Sequence, residues 1–233
     1  MANTQHSEHY VPAAPPAAPP SVEDIVAAIE EDIVLGRLNP KERLVEEDLL
    51  ERFGGKRHVV RQALFQLEDI GLVERIKNRG AFVKVYTPQE VEDLYAMREL
   101  LELAAIDALP LPAPEALMER LEEIQVQHSQ AVGKQDMRSI FRLNIAFHQV
   151  LFAATGNRYL TETINDFAKK AHAIRFAAIS DFESLKRARD EHIAIIEAIK
   201  QQDRQALREL CRQHILPSKE SYIRMYQLRV GEV

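Results

Sequence analysis

The chain has 233 residues, with 30 lysines and arginines against 36 aspartates and glutamates, a formal net charge of −6, and one cysteine, Cys211. A lone thiol excludes an internal disulfide, no apolar run approaches the roughly 20 residues that span a bilayer, and Met1–Tyr10 has neither the basic region nor the apolar run of a secretory signal. A reducing cytoplasm is the expected compartment, and the length suffices for a small domain plus a second core of ordinary size.

In chain order, residues 1–20 are rich in proline and alanine. The run Val11–Pro20 lacks donors and has fixed φ at its prolines, so an extended, disordered tail is expected. Helical periodicity starts after Ser21, a suitable N-cap, with Glu23 and Asp24 in the first turn where the helix dipole favours acids. Ile25, Ala28, Ile29 and Ile33 form its apolar stripe, and Gly36 is expected to end it. A short helix over Glu46–Phe53 would brace the next one through Leu49, Leu50 and Phe53. After Gly54-Gly55, residues Val60, Ala63, Leu64, Leu67 and Ile70 recur at helical spacing, which leaves Lys56, Arg57, His58 and Arg61 on or near the opposite side of the first turns.

The period then changes. Leu72, Val73, Arg75 and Ile76, and then Ala81–Val85, read as two short strands joined through Lys77-Asn78-Arg79-Gly80, with Gly80 supplying a positive-φ position and Arg79 at the tip. Between Arg52 and Lys84, eight positive residues stand against three negative ones, so a segment of net +5 sits inside an acidic chain. A bracing helix, a cationic reading helix and a basic hairpin together predict a DNA-binding head. The alternative is a solvated helix face followed by an ordinary hairpin.

Thr87-Pro88-Gln89-Glu90 opens a new helical region, with Pro88 at the first helical position. Helices are predicted at Pro88–Leu109, Pro114–Val132, Gln135–Ala154, Arg158–Ser180, Phe182–Lys200 and Arg204–Tyr226, separated by Pro110–Pro112, Gly133, Gly156, Asp181 and Asp203. Such lengths and short connections specify an antiparallel bundle. Pro217 should kink the last helix or split it near Gln213. Asn144 and His148 share one helix face. His192 continues the stripe Leu185, Ala188, Ile195 and Ile199, and His214 continues Leu207, Leu210 and Cys211. Three inward imidazoles on separate helices are either hydrogen-bonded core residues or ligands of a first-row divalent ion.

The first of these patterns resembles the GntR family of transcription regulators. Arg57, Val60, Arg61, Ala63, Leu64, Leu67, Gly71, Leu72, Val73, Arg79, Gly80 and Val83 fall on its winged helix-turn-helix signature, as do Gly36, Leu38, Pro40, Leu44, Glu46 and Leu49 upstream. Lys56, His58, Val59 and Gln62 depart from it at the start of the reading helix. The second half resembles the FCD effector domain of the FadR subfamily, through Arg98 and Glu102, Asn144-x-x-Phe147-His148, Thr155-Gly156-Asn157, Glu191-His192 and His214.

The resemblance implies a mainly α fold: a winged helix-turn-helix over 21–86 and an antiparallel all-helical bundle of FCD type over 87–228 for effector binding and dimerisation. It implies DNA contacts from Lys56, Arg57, His58, Arg61, Arg79 and Gly80. It also implies a divalent metal, zinc first and nickel or manganese next, on Asn144, His148, His192 and His214, where many members have Asp in place of Asn144. A small organic acid would bind beside the ion, with Arg98, His172 and Arg175 as candidate contacts; Arg98 could instead pair with Glu102, and Arg175 could lie on a solvated face. The expected protein is a cytoplasmic homodimer, not an enzyme, that reads an inverted repeat in double-stranded operator DNA and represses a metabolic operon until the acid binds. A metal-sensing regulator and a metal-dependent hydrolase are the rival readings.

Overall fold

The computed structural model describes residues 19–179 and 182–231. Residues 1–18 of the expected tail, and Ser180 and Asp181 of the expected helix end and connection, lie outside the described residues. The fold is mainly helical. In chain order it comprises α1 (Val22–Val34), β1 (Arg43–Leu44), α2 (Glu46–Phe53), α3 (Arg57–Ile70), β2 (Val73–Ile76) and β3 (Gly80–Val83), followed by α4 (Pro88–Ala108), α5 (Glu115–Lys134), α6 (Met137–Ala153), α7 (Arg158–Lys170), α8 (His172–Ile179), α9 (Phe182–Lys200) and α10 (Arg204–Gly231).

Local chemistry fixes several helix starts. At α1 the Ser21 hydroxyl accepts from the Asp24 N–H while the Asp24 carboxylate accepts from the Ser21 N–H, and Thr87 and Glu90 repeat this reciprocal cap at α4, where Pro88 is the first helical residue. Asp136 and Asn157 cap α6 and α7. The three strands form an antiparallel sheet in the order β1-β3-β2, with Val73 opposite Val83 and Leu44 opposite Ala81. Asn78 and Gly80 take positive φ in the hairpin turn, and the Arg79 N–H closes it onto the Ile76 carbonyl at 2.9 Å.

Three expectations are corrected. The segment predicted as one helix from Arg158 is two, because the chain turns at the fully buried Ala171 so that α8 packs between α1 and α10. Gly133 lies inside α5, and the αL residue that ends this helix is Gln135. The last helix is not split near Gln213: α10 continues through Pro217. A proline removes one backbone donor, and the turns on either side hold their places because Ile215 and Tyr222 are buried in the core.

One apolar cluster runs through both halves of the chain. Ile25 and Ile29 of α1 and Val60, Leu64 and Leu67 of α3 are continuous with Val91 and Tyr95 of α4, Ile174 of α8 and Tyr222 of α10. A second cluster fills the bundle with Ile106, Leu121, Phe147, Leu151, Ile195 and Leu207. Where the halves meet, the Tyr86 N–H donates to the Tyr222 hydroxyl at 2.9 Å, and that hydroxyl donates to the Tyr86 carbonyl at 3.2 Å.

Polar contacts from α1 reinforce this junction. Successive helical residues point about 100° apart, so the acids Glu30, Glu31 and Asp32 reach three different helices. Glu30 accepts from His172 Nδ1 of α8 at 2.6 Å. Glu31 accepts from Arg138 and Arg142 of α6 at 2.7 and 3.2 Å and from Arg37 at 2.9 Å. Asp32 pairs with Arg37 and with Arg52 of α2, both at 2.5 Å.

The reading helix ends on Gly71, at φ 87°, whose carbonyl accepts from the Tyr86 hydroxyl at 2.7 Å. A Cβ at Gly71 would lie 2.5 Å from that hydroxyl oxygen. Gly71→Ala therefore combines backbone strain with a clash and should cost about 1–3 kcal/mol; a denaturant midpoint equal to that of the parent protein would contradict it.

Candidate functional site

The first half presents a cationic groove. Lys56, Arg57, His58 and Arg61 at the start of α3 are exposed, as are Arg79 and Gly80 of the wing, and Arg57, Arg61, Arg75, Lys77 and Asn78 line the depression between helix and hairpin. The arginines have internal partners. Arg61 Nε lies 2.9 Å from Glu46, Arg57 Nη1 lies 3.1 Å from Glu47, and Arg75 pairs with Glu68 while covering the Phe65 ring at 3.8 Å. These pairs are exposed, so each contributes at most about 1 kcal/mol and can be exchanged for another anion.

The second half gathers His148 of α6, His192 of α9 and His214 of α10. One ring nitrogen from each lies within 4.8 Å of the others, and Nε2 of His148 is 3.1 Å from Nε2 of His214. Two of the rings are oriented from behind. His214 Nδ1 is 2.6 Å from the Glu191 carboxylate, which requires the proton on Nδ1. Gln125 Nε2 donates to the Arg189 carbonyl, so its Oε1 accepts from His192 Nδ1 at 3.2 Å. His192 Nε2 is then left buried without a partner. Such carboxylate or amide support on one nitrogen, with the other directed inward, is how imidazole ligands are held on a metal. Nitrogens on a tetrahedral zinc are about 3.3 Å apart. The His148–His214 spacing fits this, and the three residues could hold an ion.

Two cavities flank the imidazoles. The first, of about 100 Å³, has Arg98, His128, Phe141, Asn144, Arg175 and His214 in its wall. The second, of about 160 Å³, is lined by Glu30, His148, His172 and again Arg98 and Arg175. Arg98 is buried and pairs with Glu102 at 2.8 Å through Nη2, while its Nη1 has no partner. Arg175 is in the wall of both cavities rather than on a solvated face. His172 faces the second cavity, and its Nδ1 is engaged by Glu30. Asn144 lines the first cavity beside His214.

Spacing overlooked His128. It lies on the Leu121, Ile124, Gln125, Ala131 and Val132 face of α5, all buried, so the apolar stripe of that helix was the signal that could have found it. The orienting role of Gln125 was equally hidden, because Gln125 and His192 are 67 residues apart.

Burial, and next the neighbouring His214, hold His128, His148 and His192 below the usual imidazole range, His128 at about 4. Their lone pairs are thus free at neutral pH. Burial and then the nearby Arg98 cation lower Arg175 to about 10, which leaves it charged. Burial alone would lower Arg98, but the Glu102 carboxylate raises it.

A winged helix-turn-helix carried on a helical domain with an internal imidazole cluster is the architecture of a transcription regulator. The chain belongs to the GntR family of bacterial regulatory proteins: that family's model matches residues 21–83, and the FCD domain model matches residues 93–216. It is similar to the HTH-type transcriptional regulator YdhC of Bacillus subtilis, 29% identical over 186 residues that cover 78% of this chain and 80% of the relative. It is similar also to the HTH-type transcriptional repressor RspR of Escherichia coli, 23% identical over 202 residues, 87% of this chain and 89% of the other. The fold matches a GntR regulator from Rhodococcus sp. RHA1 with a TM-score of 0.74 at 21% identity, covering 87% and 97% of the two chains. The family comprises regulators and not enzymes, which removes the hydrolase reading. Among the described residues no helix is long and apolar enough to cross a membrane.

The four depressed histidines among the described residues, His128, His148, His172 and His192, set an acid limit. Unfolded, they take up protons near 6.5, whereas folded His128 does so only near about 4. The metal-free protein should keep this part of its stability above pH 6.5 and lose it as pH falls toward 4, by up to about 1.4 kcal/mol per pH unit for each such group. Urea midpoints across that window test it, and a flat profile would contradict it.

Proposed function

We propose that this regulator is a homodimeric repressor of FadR type, acting in the cytoplasm on a metabolic operon. It reads an inverted repeat with α3 and the wing, and releases it when a small organic acid binds beside a divalent ion. Lys56, Arg57, His58 and Arg61 would meet the major groove, and Arg79 with Gly80 the flanking backbone. His148, His192 and His214 would hold the ion, zinc first and nickel or manganese next, with the neutral amide oxygen of Asn144 beside them. Three nitrogen ligands leave coordination open for an oxygen of the acid, and a bound ion supplies the positive charge that draws a carboxylate.

The observation that carries this reading is the orphaned Nε2 of His192, aimed into the cluster while Gln125 holds its other nitrogen. A core histidine retained for packing alone would not need its tautomer fixed so that a buried lone pair stays free. The adjoining cavity favours an acid over the ion as the signal, since Arg98 and Arg175 line it and a guanidinium matches a carboxylate. Two anionic partners of the arginines, Glu46 and Glu47, mark where phosphates would substitute on DNA.

Coupling must come from a difference in affinity between two arrangements of the protein. The path follows helices that serve both regions. α6 carries Asn144 and His148 and, about two and three turns before His148, the arginines that grip Glu31; α8 carries Arg175 and the His172 that engages Glu30. Both acids belong to α1, which packs on the reading helix.

The test is a pair of variants in the zinc-loaded protein. Arg61→Ala should lose roughly 1–3 kcal/mol of specific DNA affinity if its contact is a base read, with zinc content unchanged. His192→Ala should lose stoichiometric zinc and the response to acids while still binding DNA. Normal operator affinity in the first variant at fixed salt, or full zinc content in the second, counts against the assignment.

Glu31→Gln separates sensing from coupling. It should leave zinc and acid binding intact yet reduce acid-induced DNA release, where coupling energies of about 1–3 kcal/mol are usual. Release that is as complete as in the parent protein would exclude this route.

A further inference from the structure

We propose that His128 recognises a hydroxyl group on the effector, so that the first cavity selects short hydroxy acids over the same acids without the hydroxyl. This rests on the acid-sensing reading above. The side chain is 1% exposed, belongs to the cavity wall and makes no hydrogen bond among the described residues; its Nδ1 is fully buried without a partner. It is not a fourth member of the metal cluster, since among the described residues only His148, His192 and His214 bring their nitrogens together. The His128 ring is nevertheless close to that cluster, with its centroid 5.1 Å from that of His192.

Buried polar groups are nearly always paired, so an imidazole in a cavity wall with no protein partner is suited to a polar group of a bound molecule. An imidazole buried this deeply with no carboxylate against it is neutral, offering one N–H donor and one acceptor. That is the complement of a hydroxyl, which also donates and accepts, and not of a second carboxylate. The other orphaned atom at this cavity is Arg98 Nη1, a charged donor suited to a carboxylate oxygen. Between them Ile140, Phe141, Leu185 and Ile215 supply an apolar wall for the carbon chain.

Size sets the remaining limit. The cavity measures about 100 Å³, whereas a cavity of about 150 Å³ accommodates benzene. Acids of two to four carbons suit this volume better than aromatic acids.

Calorimetric titration of the zinc-loaded full-length protein with matched pairs decides the matter: glycolate against acetate, lactate against propionate, and malate against succinate. The parent protein should bind the hydroxy member of at least one pair about tenfold more tightly, the worth of one good hydrogen bond. His128→Leu should abolish that preference while retaining zinc and its affinity for the unsubstituted acid, and His128→Gln, which restores a polar atom, should recover part of it. The proposal is overturned if the preference survives in His128→Leu, or if the parent protein binds both members of every pair equally; in either case acid sensing itself stands. If no acid binds the zinc-loaded parent protein, the acid-sensing reading fails and takes the His128 role with it.

Discussion

Taking a carboxylate out of water costs several kcal/mol unless cations meet it at close range, and the junction of this molecule is built around that requirement. Glu31 and Asp32 are buried at 5% and 3% exposure, and the four cations that compensate them come from three separate places: Arg37 after α1, Arg52 on α2, and Arg138 and Arg142 on α6. Burial would raise Glu31, yet the Arg138 and Arg37 hydrogen bonds hold it below its ordinary value, so it stays ionised. Each partner is needed in place, because a buried charge left alone is far costlier than a lost surface pair. This fixes α1 against both α2 and α6, and through them fixes the reading head against the helix that carries His148.

The same physics acts with opposite sign a few turns away. In the imidazole cluster burial instead holds His148 and His192 neutral, and hydrogen-bond partners choose which nitrogen of His192 and of His214 carries the proton. One side of α6 therefore meets a paired anion and the other presents lone pairs. A helix is a stiff connection between two such demands, neither of which can be met by solvent.

Much of this was legible in the sequence. Caps at Ser21 and Thr87, the glycine break before α3 and the change of period at the wing placed the head, and stripes of period 3.6 brought His148, His192 and His214 to one interior. What escaped depended on contacts between distant segments. The two-residue β1 is too short to carry an alternation and exists because Leu44 finds Ala81. The division of α7 from α8 left no breaker residue, since Phe167, Ala171 and Ile174 continue the apolar spacing, and the turn is set by packing against α1. The tautomers of His192 and His214 are decided by Gln125 and Glu191, and the internal partners of Arg57 and Arg61 lie on α2. A polar residue in a mainly apolar stripe, as His128 is on α5 beside Gln125, carries little weight until the cavity beside it is visible.

The apolar cluster shared by the two halves has a thermodynamic consequence. Ile29, Leu67, Tyr95 and Tyr222 belong to one packed body although they come from both sides of the connection at Tyr86. A head with its own closed core could unfold while the bundle persisted, giving two transitions on heating. Here opening the head would strip apolar surface from α4, α8 and α10 as well, so the halves melt as a single cooperative unit. Whatever steadies the bundle then steadies the head by mass action, and occupancy of the interior would be recorded as heat resistance in helices that never touch the bound molecule.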